Sequence, residues 1–533
     1  VSRPTLTLAR AWRPEALAEL AQRWDATARL VDDAADSVAA LIEAGREHWA
    51  GHAADAATDR ARELAAGAAA RARTLIAASV AAGDGGSQIE RARSDLLDTI
   101  DTARRDGFTV ADDGSVTPTG DADPLLVLLT GGDAATLAEI RAVRAAEVRD
   151  QITAGLERLG AADEDAAADI TAALEREGAA GPAATVPAGM SQTDIVSAWP
   201  RMGQDAIAAQ ITAMSAEQRD RLVADFPRET GNTDGVPWPL RAAANRINIA
   251  EAILAESGAD DGSRRRLALY RDLLAEVDDP AHPGRRIRRQ ILGFDPARSS
   301  LLELHGDLAS ARGVAVLVPG VNTTIEGSAA NSATARRFVS GSGGEAAVIT
   351  YLGGPFPQVH NPLDVLLEAA DPDRALDMAP RLVAFTEDVE RTVAPGVPVT
   401  VIGHSYGGSI VGTAETLGMT SDRTLFLAAA GAGVGVDDPT EWHNRNPGVV
   451  RFSMTAPGDF IEIVQGIPGG PHGADPDEMP GVIPLAAGRY DDGGFVAGFG
   501  AHSGMLNRPS DSWRTILAVI TGDSATWEQA RLD

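Results

Sequence analysis

Residues 399–408 read Val-Thr-Val-Ile-Gly-His-Ser-Tyr-Gly-Gly, an apolar run of strand length leading into Gly-x-Ser-x-Gly. Where such a run turns sharply into a helix, the central serine is held with its hydroxyl standing clear of the sheet. Glycines at Gly403 and Gly407 leave room for the backbone to approach closely on either side of His404, Ser405 and Tyr406. Ser405 is therefore the expected nucleophile. A serine hydroxyl attacks poorly at neutral pH unless a base takes its proton, and on a strand-turn-helix scaffold of this kind the chain order is Ser, then acid, then His.

Three histidines lie downstream: His443, His472 and His502. His502, in Gly500-Ala501-His502-Ser503-Gly504 just before the helix predicted over 510–520, is the expected base. His443, beside Trp442, and His472, in a Pro- and Gly-rich loop, are expected at the surface. The acid is expected at a turn after the strand 449–454, where Thr455-Ala456-Pro457-Gly458-Asp459 supplies Asp459; Asp437 and Asp438, one strand earlier, are the alternatives. A developing oxyanion needs two backbone donors. The Tyr406 amide is one, and the amide of Val321 or Asn322, in the Pro-Gly loop after the strand 314–318, is the other. This chemistry calls for no metal and no organic cofactor.

The elements that must hold these groups are legible as apolar runs alternating with helical stretches from residue 289 onward, the pattern of a mostly parallel sheet covered by helices on both faces. Strands are expected at 299–304, 314–318, 347–351, 399–402, 424–428 and 449–454, and a helix at 409–416. The fold class is α/β, an α/β-hydrolase fold, preceded by an all-α helical domain. In that helical region, Leu17, Leu20, Trp24, Ala28, Val31, Ala34, Val38 and Leu41 recur every three or four residues and predict a long helix packed lengthwise. A second Ala-rich helix is expected from 53 to 82, interrupted by Gly83-Asp84-Gly85-Gly86. A small β-hairpin is predicted at 108–110 and 115–117, more helix at 134–177, and a linker at 178–189. Shorter helices are expected at 194–224, 241–255 and 263–277. The expected organisation is 1–106, a helical hairpin; 107–189, β-hairpin, helices and linker; 190–280, a helical lead-in; and 281–533, the catalytic domain.

Composition bounds the rest. The 533 residues are 44% hydrophobic and 23% charged, as expected of a globular protein of two or more domains. A formal charge of −29, with every basic residue an arginine, argues against nucleic acid as a partner. There is no cysteine, hence no disulfide, thiolate metal site or cysteine nucleophile. No signal peptide and no transmembrane segment are expected, because no basic segment precedes an apolar one at the start and no run nears the length of a spanning helix.

Two resemblances add to this reading. The long hairpin with Trp49-Ala50-Gly51 at its turn resembles the WXG100-like helical hairpins of actinobacterial type VII secretion substrates, which implies a helical protein partner and export to the envelope or beyond. The Tyr followed four residues later by Asp or Glu that such substrates carry is missing here, which leaves a cytoplasmic enzyme as the other possibility. Asp295, Gly306-Asp307, Val316-Leu317-Val318-Pro319-Gly320 and the Ser405 motif together resemble the actinobacterial α/β-hydrolase family called DUF1023. Gly231-Asn232-Thr233-Asp234-Gly235-Val236-Pro237, with Arg241 and Ala244-Asn245, is similar to the segment that precedes the core there. That resemblance implies an esterase- or lipase-like serine hydrolase, with Ser405, Asp459 and His502 on its triad positions and a small ester or lipid-like substrate. Two other readings stay open: an interaction protein on an idle hydrolase scaffold, and a serine peptidase or amidase.

Overall fold

The computed structural model describes residues 3–46, 51–119, 133–175, 192–359, 371–465 and 470–532. They divide into two compact units, one of residues 1–185 with 250–257, the other of 186–249 with 258–533.

In the first unit, helices α1 (Leu6–Ala11), α2 (Glu15–Arg46) and α3 (His52–Arg105) are followed by an antiparallel hairpin of β1 (Phe108–Val110) and β2 (Val116–Pro118), and by helix α4 (Ala134–Glu175). The expected break at Gly83-Asp84-Gly85-Gly86 is absent: α3 runs straight through it. The reason is steric. A Cβ on Gly85 would stand 2.5 Å from Cβ of Ala166 in α4, and one on Gly86 would stand 3.1 Å from the Pro14 carbonyl and 3.2 Å from Leu17. These glycines let α3 touch both neighbours, and that packing offsets their poor helix propensity of about 1 kcal/mol each. The seam of α2 also differs from expectation. Ala21, Ala28 and Ala35 are buried, while Val38 and Leu41, expected in the seam, are exposed. Ser79 Oγ donates to the Ala21 carbonyl across it at 2.8 Å. By length and composition α3 is apolar enough to cross a membrane, with an 18-residue window of mean hydropathy 1.2. Trp49 and Ala50 lie outside the described residues, and Gly51 precedes α3 with φ of 113°.

The second unit includes short helices α5 (Gln192–Ala198), α6 (Gln204–Thr212) and α7 (Ala216–Asp225) where one stretch was expected over 194–224, and α8 (Pro227–Asn232) where no helix was expected. Ser215 caps α7 reciprocally with Gln218, and Pro227 starts α8, so the chain is divided by caps that periodicity alone does not reveal. Then come α9 (Trp238–Ala255), α10 (Asp261–Leu274) and a two-stranded ribbon, β3 (Glu276–Asp278) with β4 (Arg286–Arg288).

The main sheet contains β5 (Gln290–Asp295), β6 (Ser300–His305), β7 (Gly313–Val318), β8 (Ala346–Leu352), β9 (Val399–His404), β10 (Arg423–Leu427), β11 (Val450–Met454) and β12 (Val482–Pro484), in the order β12-β11-β10-β9-β7-β8-β6-β5. The pairings from β12 to β8 are parallel; β6 is antiparallel to both β8 and β5. Helices α11 (Ala329–Gly341), α12 (Asp373–Thr392), α13 (Tyr406–Thr416), α14 (Ile461–Gln465), α15 (Ala501–Asn507), α16 (Asp511–Thr521) and α17 (Ser524–Gln529) complete the unit. Every residue of β7 and β8 is buried, as strands covered on both faces require.

The helices before the sheet are locked to it by a buried polar cluster. The Arg241 guanidinium donates to Asp388 on α12 at 2.9 Å, to Asp234 at 2.8 Å and to the Leu292 carbonyl of β5 at 2.7 Å. Trp238 Nε1, the Gly235 amide and Arg391 also donate to Asp388. Asn245 donates to the carbonyls of Gly231 and Ile291, and Asn232 accepts from the Phe294 amide. The Gly231–Asn245 segment thus fastens one edge of the sheet.

Candidate active site

Ser405 follows the fourth strand of the sheet, β9, and heads α13. Its backbone is forced to φ of 57° and ψ of −124°, a conformation that L-residues rarely adopt. The neighbours show why it holds. The Ser405 amide donates to the Leu427 carbonyl at 3.0 Å, and its carbonyl accepts from Gly408 and Ala430, both at 2.9 Å. A Cβ on Gly403 would stand 2.6 Å from the Gly407 carbonyl, and one on Gly407 would collide with the carbonyls of Val318 and Pro319. Only glycine fits on either side of the turn. Gly320 is equally constrained: its Cβ would stand 2.6 Å from Cβ of Ser405.

Asp459 lies where expected, after β11, with its carboxylate buried. Gly458, with φ of 75°, turns the chain, and the Ile461 amide donates to Asp459 Oδ1 at 3.1 Å. His502 comes from the first turn of α15, after β12, and its Nδ1 lies 3.0 Å from each Asp459 carboxylate oxygen. The two loops are tied by the Gly498 amide, which donates to the Pro457 carbonyl at 2.8 Å. Among the described residues no hydrogen bond joins Ser405 Oγ to His502, whose Nδ1 is held by Asp459.

His404 joins the Ser405 turn to His502. Its Nε2 is 2.8 Å from the His502 backbone carbonyl, which makes that nitrogen the protonated one, and the two rings lie 4.9 Å apart. Burial, and then the adjacent His502 ring, hold the His404 imidazole down to about 4, so it is neutral at physiological pH. Sequence reading placed His404 in the turn without this role. Phe460, next to Asp459, was also missed; its ring lies 4.5 Å from that of His502.

The loop after β7 requires a correction. The Asn322 amide is committed to the Pro357 carbonyl at 2.8 Å, and Asn322 Oδ1 accepts from the Val359 amide at 2.6 Å. Asn322 sits at φ of 60°, which Asn tolerates. It staples the loop and has no amide to offer an oxyanion. That leaves Val321, whose amide donates to no backbone carbonyl among the described residues, and Tyr406, which opens α13 and so has no intrahelical acceptor. The Tyr406 phenol faces away, donating to the Asp371 carbonyl at 2.6 Å, and burial raises its pKa well above the usual value.

His472 is not at the surface: it is buried, with Nδ1 2.8 Å from Ser409 Oγ on α13. Gly431 packs against it, since any Cβ there would meet the His472 backbone. His443 is exposed, as expected, and Asp437 and Asp438 are exposed around a short 3₁₀ turn that Asp438 caps.

Residues 295–467 match the family model described as alpha/beta hydrolase. The second unit, with its mostly parallel eight-stranded sheet, carries an α/β-hydrolase domain. The matched stretch includes Ser405 and Asp459 and ends before His502. Two relatives are the uncharacterized proteins Rv2079 and MT2140 of Mycobacterium tuberculosis, each 24% identical over 261 residues, a region that covers 41% of this chain. The chain spans 38% of the length of those relatives.

Proposed function

We propose that this chain is a serine hydrolase that cleaves carboxylic esters, with Ser405 as nucleophile, His502 as base and then acid, and Asp459 as the group that orients the imidazole. The observation that carries this reading is the grip of the Asp459 carboxylate on His502 Nδ1 beside a serine held in a strained strand-to-helix turn. That grip leaves Nε2 to serve as the proton acceptor. Attack of Ser405 Oγ on the ester carbonyl sends its proton to His502, and collapse of the tetrahedral adduct returns that proton to the leaving alcohol. Water then releases the acyl group by the same relay. The Tyr406 and Val321 amides supply the charge stabilisation for the adduct.

A fluorophosphonate should label the native protein and not a Ser405→Ala variant; strong labelling of the variant would remove Ser405 from this role. A chain-length series of nitrophenyl esters, run beside a panel of peptide amides, separates ester from amide preference, and faster amide turnover would overturn the esterase assignment.

A further inference from the structure

Phe499 is 76% exposed, three residues before His502. Its ring stacks on Phe460, with centroids 6.1 Å apart and planes 11° from parallel, and Phe460 in turn lies against the His502 ring. Phe495, 68% exposed, is accounted for differently, because the Arg489 guanidinium covers it at 3.7 Å. Among the described residues no guanidinium covers Phe499, so one aromatic stack runs from solvent to the imidazole. Phe499 and Phe460 together offer an apolar, ring-shaped surface that reaches His502.

The chemistry decides which part of a substrate reaches it. His502 must hand its proton to the leaving oxygen, so the alcohol portion of an ester lies at the imidazole, while the acyl oxygen lies at the Val321 and Tyr406 amides. We propose that Phe460 and Phe499 form the alcohol-side subsite and select esters whose alcohol carries an apolar, ring-sized group. This rests on the serine-hydrolase reading and adds a substrate class to it.

Benzyl acetate and methyl phenylacetate are isomers that place the same ring on the alcohol or on the acyl side. With the full-length chain, benzyl acetate should be hydrolysed with the higher kcat/KM. Phe499→Ala should lower the benzyl acetate to methyl phenylacetate ratio about tenfold, mainly through KM, as loss of one aromatic contact implies, and Phe499→Trp should restore it. A ratio unchanged by Phe499→Ala overturns the subsite. So does an equal loss on both isomers with an altered pH profile, which would make Phe499 a prop for His502. A ratio that holds while the variant ceases to sediment with phosphatidylcholine vesicles assigns the ring to a lipid surface and also overturns it. If the native protein hydrolyses neither ester and takes no fluorophosphonate label, the hydrolase reading itself falls and the subsite falls with it.

Discussion

His404 donates a hydrogen bond to the backbone carbonyl of His502, 98 residues further along the chain. The residue before Ser405 thereby ties the end of β9 to the first turn of α15. Losing this donor should let α15 drift from the nucleophile turn. His404→Ala is expected to lower kcat/KM about tenfold, the scale of one lost hydrogen bond, and His404→Gln, which can still donate, should lose less. Steady-state kinetics on a nitrophenyl ester, with circular dichroism to show intact folding, checks both.

Acid stability should carry the same residue's signature. The His404 pKa is depressed from 6.5 to about 4 in the folded state, so its contribution is fully present above 6.5 and is lost as pH falls through 4. His305, buried and also lowered, acts in the same direction. Glu303 acts further down. Burial opposes its charge, but His305 and the bidentate Arg289 hold it at about 2, so its contribution is present above 4.5 and is lost as pH falls toward 2. Denaturant midpoints measured from pH 7 to pH 3 should fall steadily in the native protein. His404→Gln should flatten the part between 6.5 and 4 and leave the part below it.

Asp459→Asn should preserve the fold and cost about 10⁴ in kcat, because the amide can donate to Nδ1 and so hold the wrong imidazole tautomer. The fluorophosphonate labelling rate should fall with kcat. A variant within tenfold of native activity would show that Asp459 does not orient the base.

Asn322 separates backbone strain from hydrogen bonding. Asn322→Gly keeps the positive φ easily and loses the bond from the Val359 amide; Asn322→Ala loses both advantages. Activity should fall in the order native, Gly, Ala, with about tenfold lost in the Ala variant through a misplaced Val321 donor. Ester kinetics with KM and kcat resolved is the measurement, and the loss should lie in kcat.

In the helical unit, Gly83 and Gly85 should respond oppositely. A Cβ on Gly83 meets nothing nearer than Ala21 Cβ at 3.9 Å, so Gly83→Ala should stabilise by up to about 1 kcal/mol through helix propensity. Gly85→Val drives into Ala166 and should destabilise by about 1–3 kcal/mol. Urea unfolding followed by far-ultraviolet circular dichroism distinguishes them.

These contrasts mark where sequence reading works and where it stops. The strands around Ser405 were legible because β7, β8, β9 and β10 are short runs dominated by apolar and β-branched residues and bounded by turns. The two outermost strands were not. β5 contains Gly293 and a register shift between Ile291 and Gly293, and β12 has three residues and ends in Pro484. The Ser405 turn was legible because its glycines are obligatory for local geometry. Gly85 and Gly431 are obligatory for contacts with partners distant in sequence, so one was read as a helix break and the other gave no warning that His472 is buried. The Asn322 amide was misassigned for the same reason, since its acceptor lies on the loop after β8.

Arg241 sets a lower limit on the length of an autonomous catalytic piece. Asp388 is wholly enclosed, and of the groups that donate to its carboxylate, Gly235, Trp238 and Arg241 all precede the sheet, while Arg391 lies on its own helix. Trimming the chain to begin at residue 281 would strip three of those four donors from a charge with no access to water, at a cost of several kcal/mol. The sheet and the nucleophile turn would remain in such a fragment; the anchor that keeps α12 in place would not.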